Sequence, residues 1–530
     1  MDSRVMPRLT KVVNYQTVAK VCSLVFLAVC AVYWFEMSSR KLSAVFSFAA
    51  IAVLLGSFYL LRRFSNSNVD SSRLFLYALI TLGLLFSAVF PPLSAPDEDY
   101  HFSASYVLSN YLLGKGYQNE DPVLMREQDA EFYYDAVANV NLTASDYDSA
   151  INGLAHPLDS SSSEVLVSTG RTHWISRNLP QSKIASALGI TLARLLNLSS
   201  IYLYFLGRLC NLAFYIVCVY AAFRIAPVGR NAIALISLLP MSLHLAASYS
   251  YDAFIIPMSI LLTALCLRSV FRTDRISIVE CFKIVAVSVL LAPCKVIYTM
   301  IALLALFIPR KRFDSRRHEL AIKLGCMGVV VLVIVAGRVL DGYMLSVIQE
   351  GTLPGDFDSR GNQLGHFYTV GDIVSNPLRF AYLFFHTFDG YGYQYFMTMI
   401  GGSLAWFQAE IVSPGLFVFA FGVLLLLSCV SSDDDDCLLS ARARVSGSLV
   451  FVVGVLLVML SMLLSFTFNT ETIISGVQGR YFLPYLLWFV VSLRGDKLKV
   501  SCPLQPFLIE SALILNLINL IRIFSIALTL

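Results

Sequence analysis

Runs of apolar residues long enough to cross a bilayer, separated by short polar segments, recur along nearly the whole chain. A helix rises 1.5 Å per residue, so about 20 residues in succession cross a 30 Å hydrocarbon layer. The pattern predicts thirteen spans, at 18–36, 42–61, 74–93, 200–223, 231–249, 252–270, 279–292, 297–309, 321–342, 412–430, 446–468, 479–493 and 505–528. Around Pro293, the stretch 279–309 reads as one bent element or two short ones. Segment 181–199 is amphipathic, with Lys183 and Arg194 on its polar positions, and is expected to lie at the interface. The aromatic, Gly-containing segment 377–400 is expected to be interfacial or re-entrant. The fold class is therefore an all-α integral membrane protein.

Charge gives the spans a direction. With the N-terminus in the cytoplasm, the inside loops collect Arg62, Arg63 and Arg73, then Arg224 and Arg230, and then Arg268, Arg272 and Arg275. Further on they collect Arg310–Arg312, Arg316 and Arg317, then Arg442 and Arg444, and finally Arg494, Lys497 and Lys499. Loops enriched in Lys and Arg stay inside, whereas acidic residues such as Asp433–Asp436 contribute little to orientation. On the other side, segment 94–180 holds thirteen acidic residues against four basic ones. This organisation predicts a two-span region at 1–73, a membrane core at 74–495 and a last span within 496–530. The core carries two outer loops, 94–180 and 343–376, the first a small, partly helical subdomain. The apolar stretch Val21–Phe35 lacks a small-residue cleavage site after it, so it reads as a span and not a signal peptide.

Composition agrees with the pattern. The 530 residues are 57% hydrophobic and 14% charged, far less charged than a soluble domain. A net charge of +4, scattered along the chain, excludes nucleic acid as an expected partner. Most of the eleven cysteines fall inside apolar runs, and segment 94–180 has none, so no disulfide framework is expected. The seven histidines show no ligand spacing, and no Walker loop or dinucleotide turn is present, which disfavours metal, ATP or NAD chemistry. A divalent ion held by Asp97, Glu98 and Asp252 is the one cofactor the residue types permit.

Ionisable residues beside the hydrocarbon are costly and mark candidate sites. Asp97, Glu98 and His101 follow Pro91-Pro92 at the end of the third span. Asp97 either caps a helix or, with His101 four residues on, takes a proton from a hydroxyl. Asp252, in Ser248-Tyr249-Ser250-Tyr251-Asp252, either caps the next helix or, with Tyr249, meets a substrate. Lys295 either snorkels to the interface or neutralises a phosphate. Arg480, in Gln478-Gly479-Arg480, lies at a helix start, the wrong end of the dipole for a cation. That placement suits a headgroup anchor, or an anion gripped jointly by Arg480 and the helix start with Gln478 beside it. His386 and Asp389 form a weaker cluster.

These motifs resemble a known family. Pro96-Asp97-Glu98-x-x-His101-Phe102, Leu206-Gly207-Arg208-x-x-Asn211-Leu212, the run 239–253, Leu291-Ala292-x-x-Lys295 and the run 476–484 occur in the order found in a bacterial family of polytopic membrane proteins catalogued as a domain of unknown function. That family in turn resembles the GT-C glycosyltransferases. The resemblance covers residues 74–495; Asp99-Tyr100, Ser250-Tyr251 and Cys294-Lys295-Val296 depart from the usual pattern. It implies a GT-C-like fold in a bacterial cell membrane, and transfer of a sugar from a polyprenyl-phosphate-linked donor to a glycan or lipid-linked acceptor outside the cytoplasm. Asp97, or Glu98, would then be the base with His101 orienting it. Arg480, Lys295 and Gln478 would hold the donor phosphate, and Asp252, Tyr249 and His386 would touch substrate. The alternatives are a transporter or flippase of a lipid-linked glycan, and a non-catalytic scaffold.

Overall fold

The computed structural model describes residues 70–115, 122–138, 142–159, 165–172, 180–271, 275–348, 356–357, 363–405, 411–432, 439–500 and 503–528. The expected spans 18–36 and 42–61 lie outside the described residues. Helix α1 (Ser71–Val89) starts at Asp70, whose side chain accepts from the Ser72 amide at 3.0 Å, and stops before Pro91-Pro92. The acidic segment follows: α2 (Glu98–Leu112), β1 (Pro122–Arg126), α3 (Glu127–Ala138), α4 (Ala144–Ala155) and β2 (Leu166–Thr172), with β1 and β2 antiparallel. Its aromatic core joins Phe102, Tyr106 and Tyr133 to Tyr204 and Tyr249 of the bundle, Phe102 stacking on Tyr204 with centroids 4.1 Å apart. The buried Arg126–Asp129 pair, 2.7 Å apart, accepts Ser200 as a further partner and so ties the segment to the next long helix.

A 3-10 turn, Pro180–Lys183, leads into α5 (Ile184–Leu195). Ala187, Ile190 and Ala193 face inward there, while Ile184, Leu188, Leu192 and Leu195 form an exposed apolar stripe. Next come α6 (Ser200–Ile225), α7 (Arg230–Ser237), α8 (Pro240–Ala246), α9 (Asp252–Phe271) and α10 (Ile278–Leu291). The expected single span at 231–249 is thus two short helices broken before Pro240, which cannot donate to the preceding turn. The break is repaired by side chains: the Tyr215 hydroxyl donates to the Ser237 carbonyl at 3.0 Å, and Asn516 Nδ2 to the Leu238 carbonyl at 2.8 Å.

Past Pro293 the chain continues as a 3-10 helix, Val296–Phe307, then α11 (Arg316–Ile348), β3 (Asp356–Phe357), β4 (Gln363–Gly365), α12 (Val370–Ser375), α13 (Pro377–Ile400) and α14 (Gly415–Ser428). The rest is β5 (Val430–Ser432), α15 (Ala441–Phe466), a 3-10 turn Gly479–Phe482, α16 (Leu483–Leu493), β6 (Gly495–Val500) and α17 (Gln505–Ala527). Segment 377–400 is helical, and its terminal Gly401 (φ 116°) abuts Pro240 and Met241.

Among the described residues, six helices are long and apolar enough to cross a membrane: α1, α6, α9, α11, α15 and α17. The other apolar runs are shorter or broken because Pro240, Pro293, Pro414 and Pro484 stand at their ends or inside them. One end of the bundle carries the acidic segment. About 30 Å along α9 from Asp252, at 1.5 Å per residue, the other end carries the pairs Arg268–Glu280, Arg275–Asp314 and Arg310–Glu319.

Candidate functional site

After α1 the backbone passes twice through the left-handed region, at Leu93 (φ 65°) and Asp97 (φ 58°). A non-glycine residue stays there only where its surroundings over-determine it. Asp97 occupies the N-cap position of α2, yet its side chain makes no capping bond. It reaches across to Arg480, whose Nη2 donates to Asp97 Oδ2 at 2.7 Å. The Arg480 side chain is 2% exposed and that of Asp97 54%, so the carboxylate lies over a buried cation from the open side.

The 3-10 turn Gly479–Phe482 delivers Arg480. The Gly479 amide donates to Thr398 Oγ1 at 2.9 Å, and a Cβ at Gly479 would overlap the Tyr395 carbonyl oxygen, so only glycine permits this approach to α13. On its other flank Arg480 Nε lies 4.0 Å from Asp252 Oδ2. Asp252 opens α9, is 1% exposed, and neither carboxylate oxygen accepts a hydrogen bond from a described residue. Its carboxylate therefore does not cap its own helix. Lys295 sets its Nζ 3.8 Å from the Tyr481 ring centroid and 5.9 Å from that of Tyr251. Lys183 is buried, donates to the Tyr249 carbonyl at 3.4 Å and lies 5.7 Å from the same Tyr251 centroid. His101 meets that ring edge-on at 4.5 Å.

The cluster thus gathers three cationic side chains, Arg480, Lys295 and Lys183, around two carboxylates, Asp97 and Asp252. Burial pushes the Lys183 amine down to about 7, against the opposing pull of Cys294 and Asp252. While Lys183 is protonated, such an arrangement has one positive charge left for an anion.

A second group of polar residues holds the first in place. Glu98 is fully buried; its carboxylate accepts from the Ala95 and Tyr249 amides, both at 3.0 Å, and lies 3.3 Å from Arg208 Nε. Burial raises its carboxyl above the usual range, while Arg208 and the two amides oppose that rise. Arg208 also donates to the Ala247 carbonyl at 2.6 Å and the Phe90 carbonyl at 2.7 Å, and Asn211 to the Ser248 carbonyl at 2.9 Å. The Tyr249 hydroxyl donates to the Leu203 and Tyr204 carbonyls. These bonds clamp the turn 247–252 against the end of α1.

Of the residues singled out in the sequence, Asp97, Arg480, Asp252 and Lys295 converge here, with His101 one aromatic ring away. Gln478 begins the Arg480 turn: its carbonyl accepts from the Tyr481 amide at 3.1 Å, and its buried Oε1 has no donor among the described residues. Two others are already engaged: both Glu98 oxygens are taken by the Ala95 and Tyr249 amides and by Arg208, and the Tyr249 hydroxyl is held by two carbonyls. A third, His386, stacks on Tyr382 and lies 3.3 Å from the Thr472 carbonyl. It sits nine residues before Tyr395, roughly 13 Å back along α13 from the contact with Gly479. Lys183, expected at the interface, and Arg208, seen only as part of a motif, are the site residues that the sequence did not single out. Lys183 had the same signal as Arg480, a cation at a helix N-terminus. Among the described residues, no group of three or more His, Cys, Asp or Glu is placed to hold a metal ion.

Fold and site together define a polytopic helical membrane protein with a charged cluster at one end of its bundle. Residues 80–489, which contain every residue of that cluster, match the family described as "predicted membrane protein (DUF2142)", and the chain belongs to that family. No curated protein and no solved structure gives a significant match.

Proposed function

We propose that this protein is a GT-C-like glycosyltransferase of a bacterial cell membrane, with about thirteen spans and its N-terminus in the cytoplasm. It transfers a sugar from a polyprenyl-phosphate-linked donor to a glycan or lipid-linked acceptor on the non-cytoplasmic side. The observation that carries this reading is the juxtaposition of Asp97 with the buried Arg480 and Lys183 and the half-buried Lys295 at the acidic end of the bundle. There the lipid tail stays among the helices while the phosphate meets the cations. The donor phosphate takes the place of Asp97 on the Arg480 guanidinium, which frees the carboxylate for the acceptor. The acceptor hydroxyl oxygen bonds to the anomeric carbon, its proton passes to Asp97, and the carbon–oxygen bond to phosphate breaks. Polyprenyl phosphate leaves with the bonding electrons, its charge met by fixed cations.

Mass spectrometry of envelope glycans from a deletion strain tests this. A sugar should be missing, restored by the wild-type protein and not by Asp97→Asn. Unchanged glycans in the deletion strain would sink the reading. Translocation of a lipid-linked glycan, the second reading, draws on the broken helix α7–α8, since helix breaks at membrane depth form binding sites in transporters. Here Tyr215 and Asn516 already take the exposed carbonyls, which weighs against it.

A further inference from the structure

Arg480, the buried Asp252 beside it and Gln478 two residues before it each carry a side-chain atom with no hydrogen-bond partner among the described residues, and their chemistry is complementary to one kind of ligand. Both oxygens of Asp252 lack a donor, Arg480 Nε lacks an acceptor, and Gln478 Oε1 lacks a donor. The gap between Arg480 Nε and Asp252 Oδ2 is 4.0 Å, about 1 Å beyond a hydrogen bond. The two groups attract one another without satisfying one another. A buried acceptor with no donor is destabilising, and an ionised carboxylate can only accept. The missing group at Asp252 is therefore an O–H or N–H, and the missing group at Arg480 Nε is an oxygen or other acceptor.

We infer that Asp252 and Gln478 recognise hydroxyl groups of the ligand whose anion sits on Arg480, making this a site for a phosphorylated sugar and not for a lipid phosphate alone. This deepens the proposed function and rests on it. Asp252 binds the sugar and leaves proton transfer to Asp97. The geometry separates the two roles: Asp97 lies on the exposed side of the guanidinium, where an acceptor arrives, and Asp252 on the buried side.

The test uses the full-length protein in detergent, with two probes that share a phosphate monoanion on a twelve-carbon chain. One is methyl dodecyl phosphate, which carries no hydroxyl. The other is a set of dodecyl phosphosugars of gluco, manno and arabino configuration. At least one phosphosugar should bind ten-fold or more tighter than methyl dodecyl phosphate in calorimetry. Asp252→Asn should remove most of that difference while leaving methyl dodecyl phosphate bound within about two-fold or tighter. Gln478→Leu, at a less buried position, should narrow the same difference and guards against misfolding of the first variant. Equal affinities for all probes in the wild type, or a sugar preference that survives both substitutions, would overturn the inference. If methyl dodecyl phosphate still binds and Arg480→Ala abolishes that binding, only the role of Asp252 and Gln478 has failed. If no probe binds the wild type, the phosphate reading of the site has failed as well.

Discussion

Asp97 and Arg480 are 383 positions apart in the chain and 2.7 Å apart in the fold. Two unusual choices meet in that contact. Asp97 adopts a left-handed backbone that most residues avoid, and Arg480 stands at the N-terminal end of α16, where a cation gains nothing from the helix dipole. Each choice is unfavourable by itself. Together they set a carboxylate beside a buried guanidinium at the acidic end of the bundle.

Replacing Asp97 by Asn keeps the shape and one acceptor oxygen for Arg480 but removes proton affinity. Sugar transfer should fall by about 10²- to 10⁴-fold, the range typical of a lost general base. Donor affinity should hold or rise, because a neutral side chain competes less for Arg480. Transfer kinetics and donor binding on the purified variant check both halves, and full transfer activity would remove Asp97 from the mechanism.

Glu98 should behave in the opposite way. Its carboxylate and Arg208 form a pair with no exposed surface, and deleting one partner of such a pair costs about 3–5 kcal/mol. Glu98→Gln should lower the thermal unfolding midpoint in detergent clearly, whereas Asp97→Asn, on a half-exposed side chain that still offers Arg480 an amide oxygen, should lower it much less. Equal midpoints for the two variants would contradict the clamp described for Glu98.

How far the sequence reveals this architecture depends on which force acts. The apolar runs locate the six membrane-length helices among the described residues to within about two turns, because span length follows from bilayer thickness. They misjudge 231–249, where hydropathy alone is blind to a break at Pro240 repaired by Tyr215 and Asn516 from other helices. At the site, Asp97, Asp252, Lys295 and Arg480 are visible because each is an ionisable residue next to hydrocarbon. Glu98 looks equivalent to Asp97 in sequence, and only the fold separates them: one points inward to Arg208, its neighbour outward over Arg480. Lys183 reads as an interfacial lysine, since nothing local tells that Tyr249 and Tyr251 bury it.

The buried Lys183 makes a pH dependence of defined sign. Its amine, pushed down to about 7 by burial and faced by Asp252, Cys294 and the Tyr251 ring, is charged below that value and neutral above it. Affinity for an anionic probe should be highest below about pH 7 and fall as pH rises through it. Stability of the unliganded protein should move the other way. The unfolded chain keeps the proton up to lysine's ordinary value, so folding is favoured as pH rises above about 7. Lys183→Met should remove the step near 7 from both curves and leave the one from Lys295, whose amine burial pushes down to about 8. Parallel titration of binding and unfolding between pH 6 and 8.5, a window chosen around that value, tests the pair of signs together.

Gly479 offers a way to move Arg480 without touching any charge. A methyl group there would run into the Tyr395 carbonyl and crowd the Met399 amide, so Gly479→Ala must push the turn away from α13. Overpacking of this kind costs about 1–3 kcal/mol, and the displacement passes directly to the next residue, Arg480. Binding of anionic probes should drop several-fold although every ionisable group remains. Gly392, on the same helix as Tyr395, has open space within 4 Å of where a methyl group would stand. Gly392→Ala should therefore leave binding intact and, as a helix-interior glycine replacement, hold or raise stability by up to about 1 kcal/mol. If both alanine variants bind anions like the wild type, the tight approach of the turn to α13 does not position Arg480, and the guanidinium is held by its ion pairs alone.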